Sequence, residues 1–303
     1  MNDTILFGNG LNNLSRKPIP WTDLLDKIKG KKIFDNGELP NTFIYERAVF
    51  ENKISNDIRQ TEFKIKLSIA ELLSSIETNE FYEMLFELKF KNYLTTNYDY
   101  AFKNYITQTD KYLNYSHSTE DIYSIRRQTQ IFDKKQKEVC KIWNIHGEIG
   151  KPVSIMLGLD HYCGSVSKLD AYIKGTYEFQ ENSKPVHIKK MTEKLETKEF
   201  DNRSWAELFF TTNIHILGLS LDYSETDLWW ILTKRARIMN EEKTSSLIKN
   251  KIYFYDRHIK SDKEDLLKSL NVTVIKPKQD NYKNNWHNYY TDTINQIKKH
   301  KAK

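Results

Sequence analysis

The feature that most constrains this chain is a series of short apolar runs that do not alternate with polar residues. They include Ile5-Leu6-Phe7, Ile214-His215-Ile216-Leu217, Ile252-Tyr253-Phe254-Tyr255 and Val272-Thr273-Val274-Ile275. Tyr93-Leu94 within 92–96 and Ile142-Trp143 within 142–145 are shorter examples. Continuous apolar runs bounded by polar or glycine residues are the mark of strands covered on both faces. Helical patterns separate them. Trp21, Leu24, Leu25 and Ile28 recur at i, i+3, i+4 and i+7, with Thr22 or Asp23 as cap and Gly30 as terminator. Ile65, Ile69, Leu72, Leu73 and Ile76 form a second stripe, and Phe81, Met84, Leu85 and Leu88 a third. Strands alternating with helices predict an α/β fold: an open, mostly parallel sheet with helices on both faces and helical insertions.

Ligands of such sheets bind beyond the carboxyl ends of the strands. Four strand ends here carry functional groups: Gly8-Asn9-Gly10-Leu11, Thr96-Asn97-Tyr98-Asp99, His146-Gly147 and Gly218-Leu219-Ser220. Gly8 and Gly10 permit positive φ and a close approach of backbone N–H groups to a phosphate. A tight β-to-α turn would use the same two residues. His146 titrates near neutral pH and suits a general base or a hydroxyl partner. Asn97 offers both a donor and an acceptor, enough to hold a ribose hydroxyl or orient a water. Gly218 and Ser220 offer an N–H and a hydroxyl to phosphate or ribose oxygens. Plainer roles exist for each. Asn97 and Asp99 suit helix caps, Asp99 more so, and Asp227 is placed to cap a helix over 228–232. Ser220 suits a turn, and His146-Gly147 a plain strand terminus. His161 and His215 suit structural positions, and Trp229 and Trp230 suit packing. Taken together, the four ends describe a dinucleotide site with one base.

Composition excludes several classes. With 303 residues and 39% apolar content, the chain has ample core for a single domain over 1–303. Polar stretches at about 109–140 and 166–200 are expected to be insertions, the first irregular and the second largely helical. Cys140 and Cys163 are the only cysteines, so neither a disulfide framework nor a four-cysteine zinc site is expected. No H-x-x-x-H or C-x-x-C spacing points to a metal. No run reaches membrane-spanning length, and the start lacks the pattern of a signal peptide, so a cytoplasmic protein is expected. The net charge is +6, and residues 276–303 hold seven Lys against two Asp, a net +5. That basic tail suits a solvated terminal helix, and no motif in the body points to nucleic acid.

The same residues resemble the Sir2-like (sirtuin-related) family, in particular its bacterial antiphage NAD-hydrolysing branch. The resemblance lies in Phe7-Gly-Asn-Gly-Leu11 with Trp21-x-x-Leu-Leu25, Leu94-Thr-Thr-Asn-Tyr-Asp99, Asn144-Ile-His-Gly147, Ser154-Ile-Met-Leu157 with Asp160-x-Tyr162, and Leu217-Gly-Leu-Ser-Leu221. It implies a Rossmann-like domain that takes NAD+ as substrate, with no metal. Asn97 and His146 are carried over as the catalytic pair. Gly8, Asn9, Gly10, Asn12, Thr96, Asp99, Gly218 and Ser220 are expected to bind the dinucleotide. The absent zinc-ribbon cysteines argue against deacylation and for hydrolysis of NAD+ to nicotinamide and ADP-ribose, gated by a protein partner or sensor encoded nearby or by oligomer assembly. Two alternatives stay open. One is a non-catalytic nucleotide-sensing module. The other is an abortive-infection protein of the AbiH type, which shares the opening Gly-Asn-Gly turn and the Gly218-to-Trp230 stretch.

Overall fold

The apolar runs become the centre of one sheet. A computed structural model of the chain describes residues 2–30, 34–52, 54–117, 122–276 and 285–301. Its strands are β1 (Asp3–Phe7), β2 (Asn92–Thr95), β3 (Tyr112–His117), β4 (Gln128–Asp133), β5 (Glu138–Asn144), β6 (Glu178–Glu181), β7 (Lys184–His187), β8 (Asn213–Leu217), β9 (Ile252–Tyr255) and β10 (Val272–Ile275). Eight of them form a sheet in the order β10-β9-β8-β1-β2-β5-β4-β3, while β6 and β7 pair separately. Strands β10 through β5 in that order are all parallel. β4 and β3 add to the β5 edge in antiparallel fashion.

The helices are α1 (Trp21–Ile28), α2 (Asn41–Asn52), α3 (Ile58–Leu73), α4 (Glu80–Glu87), α5 (Ala101–Thr107), α6 (Leu159–Lys174), α7 (Met191–Thr197), α8 (Leu208–Thr211), α9 (Thr226–Asn240), α10 (Ser261–Ser269) and α11 (Trp286–Lys301). Side chains alternate across a strand, so each central strand feeds two cores. Ile5, Phe7 and Tyr93 pack with α1 to α5 and α11, whereas Leu6, Leu94 and Trp143 pack with α6 to α10. The result is a three-layer α/β fold of the Rossmann-like kind. Local signals start and stop the helices: the Asn79 side chain accepts from Phe81 N–H at 3.0 Å to open α4, and left-handed Gly175 closes α6.

Four expectations need correction. The described part of residues 109–140 is not irregular, since β3, β4 and the first three residues of β5 come from it; its polar faces reflect a half-exposed antiparallel edge. Residues 166–200 hold the β6–β7 hairpin between α6 and α7. Neither Thr22 nor Asp23 caps α1, whose cap position is Pro20, with Asp23 in the first turn. The C-terminal helix is not merely solvated, because Tyr289, Tyr290, Ile294 and Ile297 of α11 are buried in the core; residues 277–284 and 302–303 of the basic tail lie outside the described residues. Among the described residues no helix is long and apolar enough to cross a membrane.

Gly8 and Gly10 are glycines for a different reason from the one expected. Neither has positive φ. A Cβ on Gly10 would lie 2.8 Å from both the Cα and the O of Gly218, and one on Gly8 would lie 2.8 Å from Gly218 O. The turn after β1 is pressed against the turn after β8, backbone to backbone. Gly10→Ala should therefore destabilise the fold by roughly 2–3 kcal/mol, the upper part of the range for overpacking, because the blocking atoms are backbone. Gly37→Ala is the control: φ is +52° with nothing within 4 Å, so only the left-handed penalty of roughly 1 kcal/mol applies. Urea unfolding compares the two, and a Gly10 variant as stable as the Gly37 variant would refute the close-approach account.

Candidate active site

The sheet reverses its order at β1. The chain runs outward from β1 to β2 and β5 on one side, then returns to lay β8, β9 and β10 on the other. The crevice at such a switch point is where open α/β sheets bind ligands. A cavity of about 490 Å³ lies there, within the usual range for a small-molecule site.

The two apposed turns form its floor. Gly8 N–H donates to Leu217 O at 3.3 Å, and Gly10 N–H to Gly218 O at 2.8 Å. These N–H groups are spent on the neighbouring strand, so they do not form the phosphate cradle expected of them. The conformational freedom sits opposite, at Gly218 with φ +63°. Asn9, Asn13, Thr96 and Ser220 line the cavity and supply polar groups near these turns. Gly8 and Asn12 are buried and do not line it. Asn12 instead ties the wall together: its Nδ2 donates to Asn9 Oδ1 at 2.9 Å and Asp99 Oδ2 at 2.7 Å, and the Tyr82 hydroxyl donates to its Oδ1.

Asp99 lines the cavity, but both of its oxygens are engaged. Besides Asn12, it accepts at 2.8 Å from the N–H of Ala101, the first residue of α5, from one position before the helix cap Tyr100. Burial raises its pKa despite those two bonds. Asn97 is 7% exposed and faces the cavity. Its backbone is fixed by Thr95 Oγ1, which accepts its N–H at 3.0 Å, and by Asn144 Nδ2, which donates to its O at 3.3 Å. Its side-chain Nδ2 lies near the Tyr82 hydroxyl yet makes no hydrogen bond of ordinary geometry. A buried donor in that state calls for a partner, either a water or a ligand oxygen.

His146 follows β5 and also faces the cavity. Gly147 takes φ +104° so that the chain can double back, and a Cβ there would sit 2.1 Å from Ser154 O. Met156 N–H then donates to His146 O at 2.9 Å, and the Tyr98 hydroxyl to Met156 O at 2.6 Å. The imidazole packs edge-on to Tyr162 at 5.3 Å, and its Nε2 lies 3.2 Å from Asp227 Oδ1. Asp227 is fully buried, and its other oxygen accepts from Ser165 Oγ at 3.1 Å. Burial pulls the His146 pKa down, but the charge and hydrogen bond of Asp227, with Glu225 beyond it, raise it overall.

A family model described as a SIR2-like domain matches residues 91–275, more than half of the chain. The chain belongs to the SIR2-like family. Among curated proteins none matches it. SIR2-like domains bind NAD+ and are typically NAD-dependent enzymes, so this member has a Sir2-type, NAD-related function, and the matched segment carries Asn97, His146, Gly218 and Ser220.

Two acidic residues of this SIR2-like site were missed in sequence. Asp227 reads as a helix cap, but the cap position of α9 is Glu225, and Asp227 lies in the first turn, where it accepts from Leu228 N–H at 2.9 Å; its partner His146 is 81 residues away. Glu225 gives no local signal at all. It lines the cavity, and its Oε2 accepts from Asp222 N–H at 2.8 Å. Burial pushes its pKa up to about 7, against the pull of His146 and with the push of Asp227. The other histidines hold structural places, as their plainer roles suggested. His161 Nδ1 accepts from Leu157 and Gly158 N–H, both at 2.9 Å. His215 is stacked among Phe90, Tyr253 and Tyr255, and burial lowers its pKa to about 4. Trp229 bonds Asp222 O at 3.0 Å and stacks on Tyr223, bracing the turn after β8.

The raised His146 pKa has a definite sign in stability. The charged pair with Asp227 favours the folded state below the unfolded histidine value of about 6.5 and is lost as pH rises through the higher folded value. The stability gap between wild type and Asp227→Asn should be wider at about pH 5.5 than at about pH 9. Urea unfolding at both pH values measures it, and an equal gap would mean that the pair is not ionic.

Proposed function

We propose that this SIR2-like chain is an NAD+ glycohydrolase that splits NAD+ into nicotinamide and ADP-ribose. The observation that carries the reading is the convergence of Asn97, His146 and Glu225 on one cavity at the β1/β8 switch point. The chemistry asks for little else. Nicotinamide leaves as a neutral base, taking the electrons of the C1′–N bond, and the ribose becomes oxocarbenium-like. Water bonds to C1′ and loses a proton. Neutral His146, oriented by Asp227, accepts that proton through its second ring nitrogen or holds the ribose hydroxyls. Asn97 positions the water or a ribose hydroxyl. The Glu225 carboxylate opposes the positive charge developing on the sugar, and fixed groups of this kind supply most of the rate in a water-poor site.

The resemblance to antiphage relatives extends the proposal to abortive-infection defence. An unrestrained NAD+ hydrolase would kill its own host, so a partner protein or assembly is expected to release the activity. Deacylation is disfavoured because Cys140 is buried and Cys163 is its only companion, too few for a zinc ribbon.

Purified protein, alone and with its genomic neighbours, should release nicotinamide from NAD+ and yield ADP-ribose rather than a cyclic product. Asn97→Ala and His146→Ala should each lower the rate by roughly 10²–10⁴. If no condition releases nicotinamide and Asn97→Ala keeps the full biological effect, the enzyme reading is wrong. Activity should rise with pH through about 7 as Glu225 ionises. Glu225→Gln should cost roughly a hundredfold in kcat, and an unchanged kcat would remove Glu225 from the mechanism.

A further inference from the structure

The cavity extends well past the reacting end. Beyond the β1/β8 turns it reaches Tyr255 and Asp256 at the end of β9, where α11 adds Trp286, Tyr289 and Tyr290. The matched SIR2-like segment stops at residue 275, so α11 lies outside it. The helix is seated firmly. Tyr289 donates its hydroxyl to Tyr255 O at 3.1 Å, and the Tyr290 hydroxyl lies against Gly10, 2.3 Å from where a Cβ would be. Both tyrosines are buried, but Trp286 keeps 44% of its surface exposed. Its indole is nonetheless held in place. The Arg257 guanidinium lies 3.8 Å from its ring centre, and Tyr289 packs perpendicular to it at 5.7 Å. A large ring that is exposed, immobilised and at a cavity wall is a stacking platform.

The span identifies what it would stack against. His146 follows β5, and Trp286 lies beyond β9, four strand steps away in the order β5-β2-β1-β8-β9. At about 4.8 Å per step that is roughly 19 Å. A nicotinamide mononucleotide reacting at His146 would fall short, whereas the second base of an extended dinucleotide would arrive at α11. The Asp256 carboxylate at the same end suits the hydroxyls of the attached ribose.

We propose that α11 completes a purine subsite in which Trp286 stacks on the adenine of the bound dinucleotide. The proposal rests on the dinucleotide reading of the cavity but not on hydrolysis. Calorimetric titration of the full chain with ADP-ribose tests it. Trp286→Ala should weaken ADP-ribose roughly tenfold or more, the scale of a lost base–aromatic stack, and Trp286→Phe should restore most of that affinity. Three results would each overturn the subsite: wild type that does not bind ADP-ribose, Trp286→Ala that binds it as wild type does, or a loss that Trp286→Phe does not repair. If Trp286 governs ADP-ribose affinity while NAD+ is never cleaved, the hydrolase reading falls and the subsite stands.

Discussion

Everything at this site depends on the contact between the turns after β1 and β8. Two backbone hydrogen bonds and the absence of a Cβ at Gly8 and Gly10 let the strand ends meet without side chains between them. That closeness forms the floor of the crevice. It also consumes the N–H groups that a nucleotide-binding glycine turn usually presents to phosphate. A ligand on this floor would meet side chains such as Asn9, Thr96 and Ser220, and groups carried in by neighbouring strands.

The charge distribution separates two ends of the cavity. Glu225 and Asp227 gather around a single imidazole, and burial raises the pKa of Glu225. A pyrophosphate would be repelled there, whereas a positively charged ring or a cationic sugar would be stabilised. The end beyond β9 is built differently, from stacked rings of α11 with Arg257 against Trp286 and the Asp256 carboxylate at the wall. A dinucleotide that carries positive charge on only one of its bases has one favourable orientation in such a cavity.

Much of this was legible in the sequence, because burial on both faces writes strands as continuous apolar runs. The central strands β1, β2, β5, β8 and β9 could be read in this way, and with them the strand ends that hold Asn97, His146 and Ser220. The antiparallel strands β3 and β4 escaped because their exposed positions break the apolar run; Leu113 and Tyr115 stand outward among polar neighbours. Asp227 escaped for another reason. An aspartate at a helix start has a sufficient local explanation, and nothing local reveals a histidine 81 residues earlier in the chain. The glycines were identified correctly as special but for the wrong cause, since sequence does not distinguish a need for positive φ from a need for no side chain.

Asp227 also joins parts of the molecule that do not otherwise share a task. One oxygen holds His146 at the end of β5, the other holds Ser165 on α6, and its backbone belongs to the first turn of α9. His146 is thus mechanically in series with the packing of two outer helices. Sliding α6 against α9 by an ångström would strain the Ser165 link, tilt the carboxylate and alter the proton affinity of a histidine that neither helix contains. The basicity of His146 is thereby tied to how those two helices sit.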